Sequence, residues 1–239
     1  MINTPDARFR IPRIWSNQEL KKVAHLFSGD VANISGGDDI DKEGSHYKDY
    51  FNKASSYTIT NYGGASFRGF QDRLGEIQLD LTEPLPDNLR KKFDVVLNHT
   101  TLEHVFDVVT AFHNICEMTR DIAIVVVPFC QTQHESSAFN DFWRFTPTSI
   151  RELFRREGLE TLYEASNEKF NESVYLFMIA SRSPEKWINH IPKKICTQNV
   201  GEWIGRDCSL PELFKLPVVK EAGLLKLLKL VFSNYTNRI

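Results

Sequence analysis

Cysteine is scarce, and no two of the four stand close enough to act together. Cys116, Cys130, Cys196 and Cys208 form no C-x-x-C pair and gather no histidines at metal spacing. A zinc module or a disulfide framework is therefore not expected, and a reducing cytoplasm is the default compartment. Long apolar runs are missing too, with nothing near the roughly 18 residues that span a bilayer. The first thirteen residues hold arginines without an apolar centre, so no secretory signal is expected. Positive charge is not in surplus. The formal net charge is −2 over 239 residues, which excludes a general electrostatic grip on nucleic acid. No G-x-G-x-x-G follows the first apolar run, which disfavours a dinucleotide oxidoreductase.

What is present describes an ordinary globular protein. Hydrophobic residues make up 41% and charged residues 25%, which excludes wholesale disorder. The length suits one α/β domain with an appendage. Residues 183–239 are basic and leucine-rich while 1–182 are acidic overall. The reading is an N-terminal helical segment (1–29), a main domain (30–182) and a helical C-terminal extension (183–239).

Patterning supplies the elements. Ser16-Asn17-Gln18-Glu19 reads as a capping box opening a helix to about Phe27. Strands are expected at Val31–Ile34, Ser56–Thr60, Ile77–Leu81, Phe93–Leu97 and Ile122–Val127, and the last two at Leu159–Glu164 and Val174–Ala180. Thr100-Thr101-Leu102-Glu103 looks like a second capping box, followed by an apolar stripe at Leu102, Val105, Val109, Phe112 and Ile115 or Cys116. Thr146-Pro147 opens a helix that Gly158 stops. Strands alternating with helical connections imply an α/β fold, a mainly parallel sheet covered on both faces.

Ligands of such sheets bind outside the carboxyl ends of the strands. Those ends carry Ser35-Gly36-Gly37, Asn61-Tyr62, Asp80 and Asn98-His99. Asp80 can accept bonds from a ribose or an exocyclic amine, or merely cap its own turn. Together with Phe93-Asp94-Val95-Val96-Leu97-Asn98-His99-Thr100-Thr101-Leu102-Glu103-His104-Val105 and Asp141-Phe142-Trp143-Arg144-Phe145-Thr146-Pro147, these residues resemble the class I S-adenosylmethionine (SAM)-dependent methyltransferases. The likeness is to the group with Leu-Glu-His-Val after the fourth strand. It covers about 30–182 and implies a Rossmann-like fold of seven strands, the last antiparallel.

The resemblance implies SAM as cofactor, with S-adenosylhomocysteine as product. Ser35, Gly36 and Gly37 would pass beneath the methionyl part. Asn61 and Tyr62 would meet the ribose, Asp80 and Leu81 the adenine, and Asn98 and His99 the neighbourhood of the sulfonium. Asn61 stands where the family carries an acid, and Asn33-Ile34-Ser35-Gly36-Gly37-Asp38 departs from its usual acid and Gly-x-Gly-x-Gly. His134 and His99 are the candidate catalytic bases; His104 and Glu103 read as structural. Trp143 and Arg144 are candidates for substrate binding, against core packing for Trp143 and a loop-fixing ion pair for Arg144. The expected acceptor is a saccharide or cell-surface glycan precursor methylated on oxygen; another small molecule, or a non-catalytic partner role, is the alternative. Residues 218–232 form an apolar helix with a narrow basic stripe, suited to packing on its own domain, to a homodimer contact or to a membrane surface.

Overall fold

The computed structural model describes residues 10–63, 69–167 and 173–191. Residues 192–239, most of the C-terminal extension and including 218–232, Cys196 and Cys208, lie outside the described residues. Seven strands form one sheet: β1 (Ser28–Ile34), β2 (Lys53–Asn61), β3 (Glu76–Gln78), β4 (Phe93–His99), β5 (Thr119–Cys130), β6 (Glu160–Ser166) and β7 (Val174–Ser181). Their order is β3-β2-β1-β4-β5-β7-β6. The first five strands are parallel, and β7 runs antiparallel to both β5 and β6.

Alternation along the strands divides the core in two. Ala32, Ile34, Val96, Val125 and Val127 pack beneath α2 (Val108–Met118) and α3 (Pro147–Arg156). Val31, Val95, Leu97, Ile124 and Val126 face the opposite layer, where α1 (Ile11–Val23) contributes Leu20 and Val23. Continuous β-branched runs are what a doubly covered parallel strand requires. Loops, with one 3₁₀ turn at Tyr47–Tyr50, carry the chain from β1 to β2. The chain after β7 returns to this layer, Trp187 lying edge-on to Phe27 with ring centroids 5.1 Å apart.

Three boundaries differ from the sequence reading. α1 starts at Ile11 with Pro12 in its first turn, a position that suits proline's fixed φ. Ser16 is therefore not a cap but sits inside the helix, buried with Asn17 and Glu19. All three face inward because each finds a partner: Ser16 Oγ meets His99 Nε2 at 2.8 Å, Tyr47 donates to Asn17 Oδ1 at 3.0 Å, and Tyr163 donates to Glu19 Oε2 at 2.6 Å. The second capping box also fails. Thr100 takes φ +53°, a single 3₁₀ turn covers Leu102–His104, and α2 begins only at Val108 behind Asp107, whose side chain accepts from Thr110 N. Val109 then points outward, 55% exposed. Finally, β3 stops at Gln78, and Leu79 to Leu81 continue as a turn.

Candidate active site

The strand order reverses between β1 and β4, and the carboxyl ends there open into a cavity of about 1120 Å³. Ligand pockets typically enclose about 300–1000 Å³, so the space is large enough for a small-molecule ligand. Ser35, Gly36, Gly37, Asn61, Tyr62, Asp80, Leu81, His99 and His134 all line it. Asn98, Trp143 and Arg144 do not.

At the end nearest β2 the chain turns back on itself through Ser35 (φ +57°) and Gly37 (φ +58°). Gly36 has no room for a side chain, since a Cβ there would lie 2.6 Å from Asn33 Nδ2. That amide is itself fixed by Asp39 Oδ1 at 2.8 Å. Gly37 is clamped from both sides by Asn61: its N–H donates to Asn61 Oδ1 at 2.8 Å, and Asn61 Nδ2 returns a bond to its carbonyl at 3.0 Å. The second amide hydrogen of Asn61 goes to Glu76 Oε1 at 2.5 Å. Arg73 completes the clamp, donating to the Gly37 carbonyl at 2.7 Å and to Glu76 at 3.0 Å. Burial works to raise the Glu76 pKa, but bonds from Arg73, Asn61 and two backbone N–H groups outweigh it and bring it down to about 2.

The ribose role expected of Asn61 is thereby narrowed. Both amide hydrogens are spent, and one lone pair of Oδ1 is left for a hydroxyl. Asp80 satisfies its own turn, Oδ1 accepting from Thr82 N at 2.8 Å and Thr82 Oγ1 at 2.7 Å, while Oδ2 takes no described bond. The carboxylate thus caps the turn and still presents an acceptor beside the cavity. Tyr62 stands at the outer rim, 53% exposed.

At the β4 end, Asn98 is fully buried and ties the two central strands, Nδ2 donating to the Ile34 carbonyl at 3.0 Å. It lies beneath the cavity floor, which corrects the expectation that it meets a ligand. Its Oδ1 has no partner. His99 is fixed in one tautomer. Ser16 spends its only hydrogen on the Arg13 carbonyl at 2.9 Å, so Ser16 Oγ accepts from His99 Nε2–H, and the ring lone pair sits on Nδ1 beside Thr100 Oγ1 at 3.3 Å. Burial, reinforced by Arg13, lowers the His99 pKa to about 3. This imidazole stays neutral at physiological pH and is a weak base.

The loop after β5 brings His134, Phe139 and Asp141 over the site, beside His104 from the turn after β4. His104 Nδ1 donates to the Asn140 carbonyl at 2.6 Å, which leaves Nε2 as its lone-pair nitrogen. The His104 and His134 rings meet edge-on at 5.0 Å, and each touches Phe139. His134 Nδ1 stands 3.4 Å from Asp141 Oδ2. Burial lowers the pKa of both histidines. Burial also pushes the Asp141 pKa up, yet the Arg144 fork and the His134 backbone N–H bring it to about 2. Below them Glu103 is 1% exposed, and burial raises its pKa to about 7.

Arg144 and Trp143 work inside this loop rather than on a ligand, a second correction. All five N–H directions of Arg144 are committed: two to Asp141 at 2.6 and 2.7 Å, the others to the carbonyls of Gln131, Thr132 and Trp143. Trp143 Nε1 donates to the Val105 and Phe106 carbonyls at 3.0 and 3.2 Å, bracing the link into α2. The loop needs these anchors because it has little regular structure of its own.

Sequence reading missed Arg13, Tyr47, Phe139 and the cavity position of His104. The available signal was an inward helix face, Arg13, Ser16 and Asn17, carrying polar side chains where a packed helix carries apolar ones. Among the described residues, no helix is long and apolar enough to cross a membrane, and no cluster of three or more His, Cys, Asp and Glu side chains could hold a metal. Of the cysteines, Cys116 is buried and Cys130 exposed.

No protein-family model matches the chain, and no curated protein matches its sequence. By shape it is similar to magnesium protoporphyrin IX methyltransferase from Synechocystis PCC 6803, solved with bound SAM. The two share 12% identity over 77% of this chain and 86% of that one, with a TM-score of 0.51. It is also similar to the CMeT domain of the citrinin polyketide synthase, at 11% identity over 71% of this chain and 52% of that one, TM-score 0.50. The chain has the Rossmann-like fold of class I methyltransferases.

Proposed function

We propose that the protein is a SAM-dependent methyltransferase that methylates a small-molecule acceptor. One observation carries the reading: a single cavity over the β1/β4 reversal joins a glycine turn and an acid at one end to three neutral imidazoles at the other. Gly36 and Gly37 let the backbone approach a bulky ligand closely, and Asp80 offers an acceptor to an exocyclic amine. When bound, the cofactor supplies an electrophilic methyl carbon. The chain's own work is to orient an acceptor and take up its proton. His134 and His104, uncharged and held by Asp141 and Asn140, suit that second task at neutral pH. His99 is better suited to shaping the wall, since burial keeps it nearly non-basic.

For the acceptor we propose an oxygen of a saccharide or glycan precursor. Tyr47, Phe106 and Phe139 support it, as aromatic walls against which a sugar face packs. A cytoplasmic location follows from cysteine usage in the same proposal. A second reading, a non-catalytic partner with this fold, is favoured by the Asn61–Gly37–Glu76–Arg73 clamp, which leaves little for a ribose. Titration calorimetry with S-adenosylhomocysteine separates the two. Micromolar binding supports the enzyme, and no heat with no thermal shift at millimolar ligand overturns it.

A further inference from the structure

Among the described residues, Arg13 is a cavity-lining guanidinium without an ion-pair partner. Arg73, Arg120, Arg144 and Arg151 each hold a carboxylate within 3.0 Å. Arg13 lines the cavity, its Nε is buried with no hydrogen-bond partner, and no described carboxylate pairs with it. Its contact with Tyr175 supplies no negative charge. The nearby acids are already used. Asp141 belongs to Arg144, and Asp41 is taken by Tyr50 and the backbone amides of Glu43 and Ser45. Glu103 lies within ion-pair distance of His104, not of Arg13, and burial pushes its carboxyl towards the protonated form.

Keeping a partly buried cation without an anion is unfavourable. A ligand that brings the anion recovers that cost and gains charge-assisted bonds from a planar fork matched to carboxylate or phosphate. We infer that Arg13 seats a carboxylate or phosphate carried by the acceptor, so that the substrate class is an acidic small molecule such as a uronic acid or a sugar phosphate. The inference rests on the methyltransfer reading for what it calls the acceptor. The location favours the acceptor over the cofactor's own carboxylate. Arg13 reaches Tyr175 on β7, whose hydroxyl accepts from Gln131 at 3.1 Å, and its charge acts on His99, Glu103, His104 and His134. These groups stand across the cavity from Asp80 and Tyr62.

The test uses the full 239-residue chain, with Arg13→Gln and Arg13→Lys. Calorimetry first measures S-adenosylhomocysteine and 5′-methylthioadenosine, which lacks the amino-acid part. Glucuronate, inorganic phosphate and neutral glucose are then titrated into protein loaded with S-adenosylhomocysteine. The expected result is that glucuronate or phosphate binds at least tenfold more tightly than glucose. Arg13→Gln then loses that preference by tenfold or more, Arg13→Lys keeps part of it, and S-adenosylhomocysteine affinity changes less than threefold. Histidine NMR gives a reading that a structural role would not move: the anion raises the His134 pKa in the parent and not in Arg13→Gln. Loss of S-adenosylhomocysteine affinity with unchanged 5′-methylthioadenosine affinity would assign Arg13 to the cofactor and overturn the inference. So would anion affinities equal in parent and variant, or no anion binding by the parent at tens of millimolar. Should the parent bind no S-adenosylhomocysteine, the methyltransfer reading fails separately. The phosphate titration of unloaded chain then still decides whether Arg13 seats an anion.

Discussion

The two ends of the cavity solve opposite electrostatic problems. Beneath the glycine turn, charge is kept and paired: Glu76, Arg73 and Asn61 form one ionic clamp, and every bond in it stiffens the backbone of Gly37. Beneath the loop after β5, charge is mostly suppressed. Burial lowers the pKa of His99, His104 and His134 and raises that of Glu103, so one half of the pocket wall titrates away from its ordinary values. The first arrangement fixes a shape; the second leaves groups uncharged, which the proposed proton uptake requires. A reaction that binds one ligand tightly and deprotonates another needs both.

The contrast can be broken from the proton-exchanging end first. Replacing His134 with Ala is expected to lower turnover about 100-fold, within the usual range for losing a general base, while S-adenosylhomocysteine binding stays within threefold. Turnover equal to the parent would transfer the role to His104. Gly36→Ala attacks the other end, forcing a Cβ against the Asn33 amide that Asp39 holds. Overpacking of this kind costs about 1–3 kcal/mol, so cofactor affinity should fall about 10- to 100-fold in calorimetry, with the His104 and His134 NMR signals unmoved. Asp80→Ala removes one acceptor and should weaken the same ligand about tenfold; unchanged affinity would show the adenine lies elsewhere.

A different effect is on stability, and it carries a sign. Glu103 has a folded pKa near 7 against an ordinary 4.5, so the folded chain holds its proton after the unfolded chain has released it. Unfolding free energy therefore falls as pH rises from about 4.5 to 7, by up to about 3 kcal/mol. Glu103→Gln should flatten that slope and raise the melting temperature more at pH 8 than at pH 5. His99 acts in the opposite direction. Its neutral ring opposes folding as pH drops from about 6.5 towards 3, a loss that thermal melts of His99→Gln should remove.

Much of the sheet was legible in the sequence because its signals are local. Phe93–Leu97 and Ile122–Val127 are apolar runs that few other structures accommodate, and Thr146-Pro147 fixes the start of α3 through steric rules. The strand-end part of the cavity lining was legible too, because polar residues at strand ends have few other reasons to be there. The failures involve long-range partners. Nothing near Ser16 says that His99 will receive it, and nothing near Asn61 announces Glu76, fifteen residues on. Arg144 offered two readings, and its five donors choose between them only once Asp141 and the carbonyls of Gln131 and Thr132 are in place. Thr100 was misread because its left-handed backbone is imposed by the bond from its N–H to the Val126 carbonyl at 2.8 Å, a constraint from a neighbouring strand.

The buried polar face of α1 has a consequence for how the chain assembles during synthesis. Glu19 leaves the ribosome 144 residues before Tyr163, which donates to it. Until β6 emerges, the helix has no complete set of partners and gains little by docking. The wall that carries Arg13 is thus one of the first pieces made and among the last to be seated. A nascent or truncated chain ending before β6 should hold much of the sheet yet present an open, chaperone-accessible flank where the pocket will be.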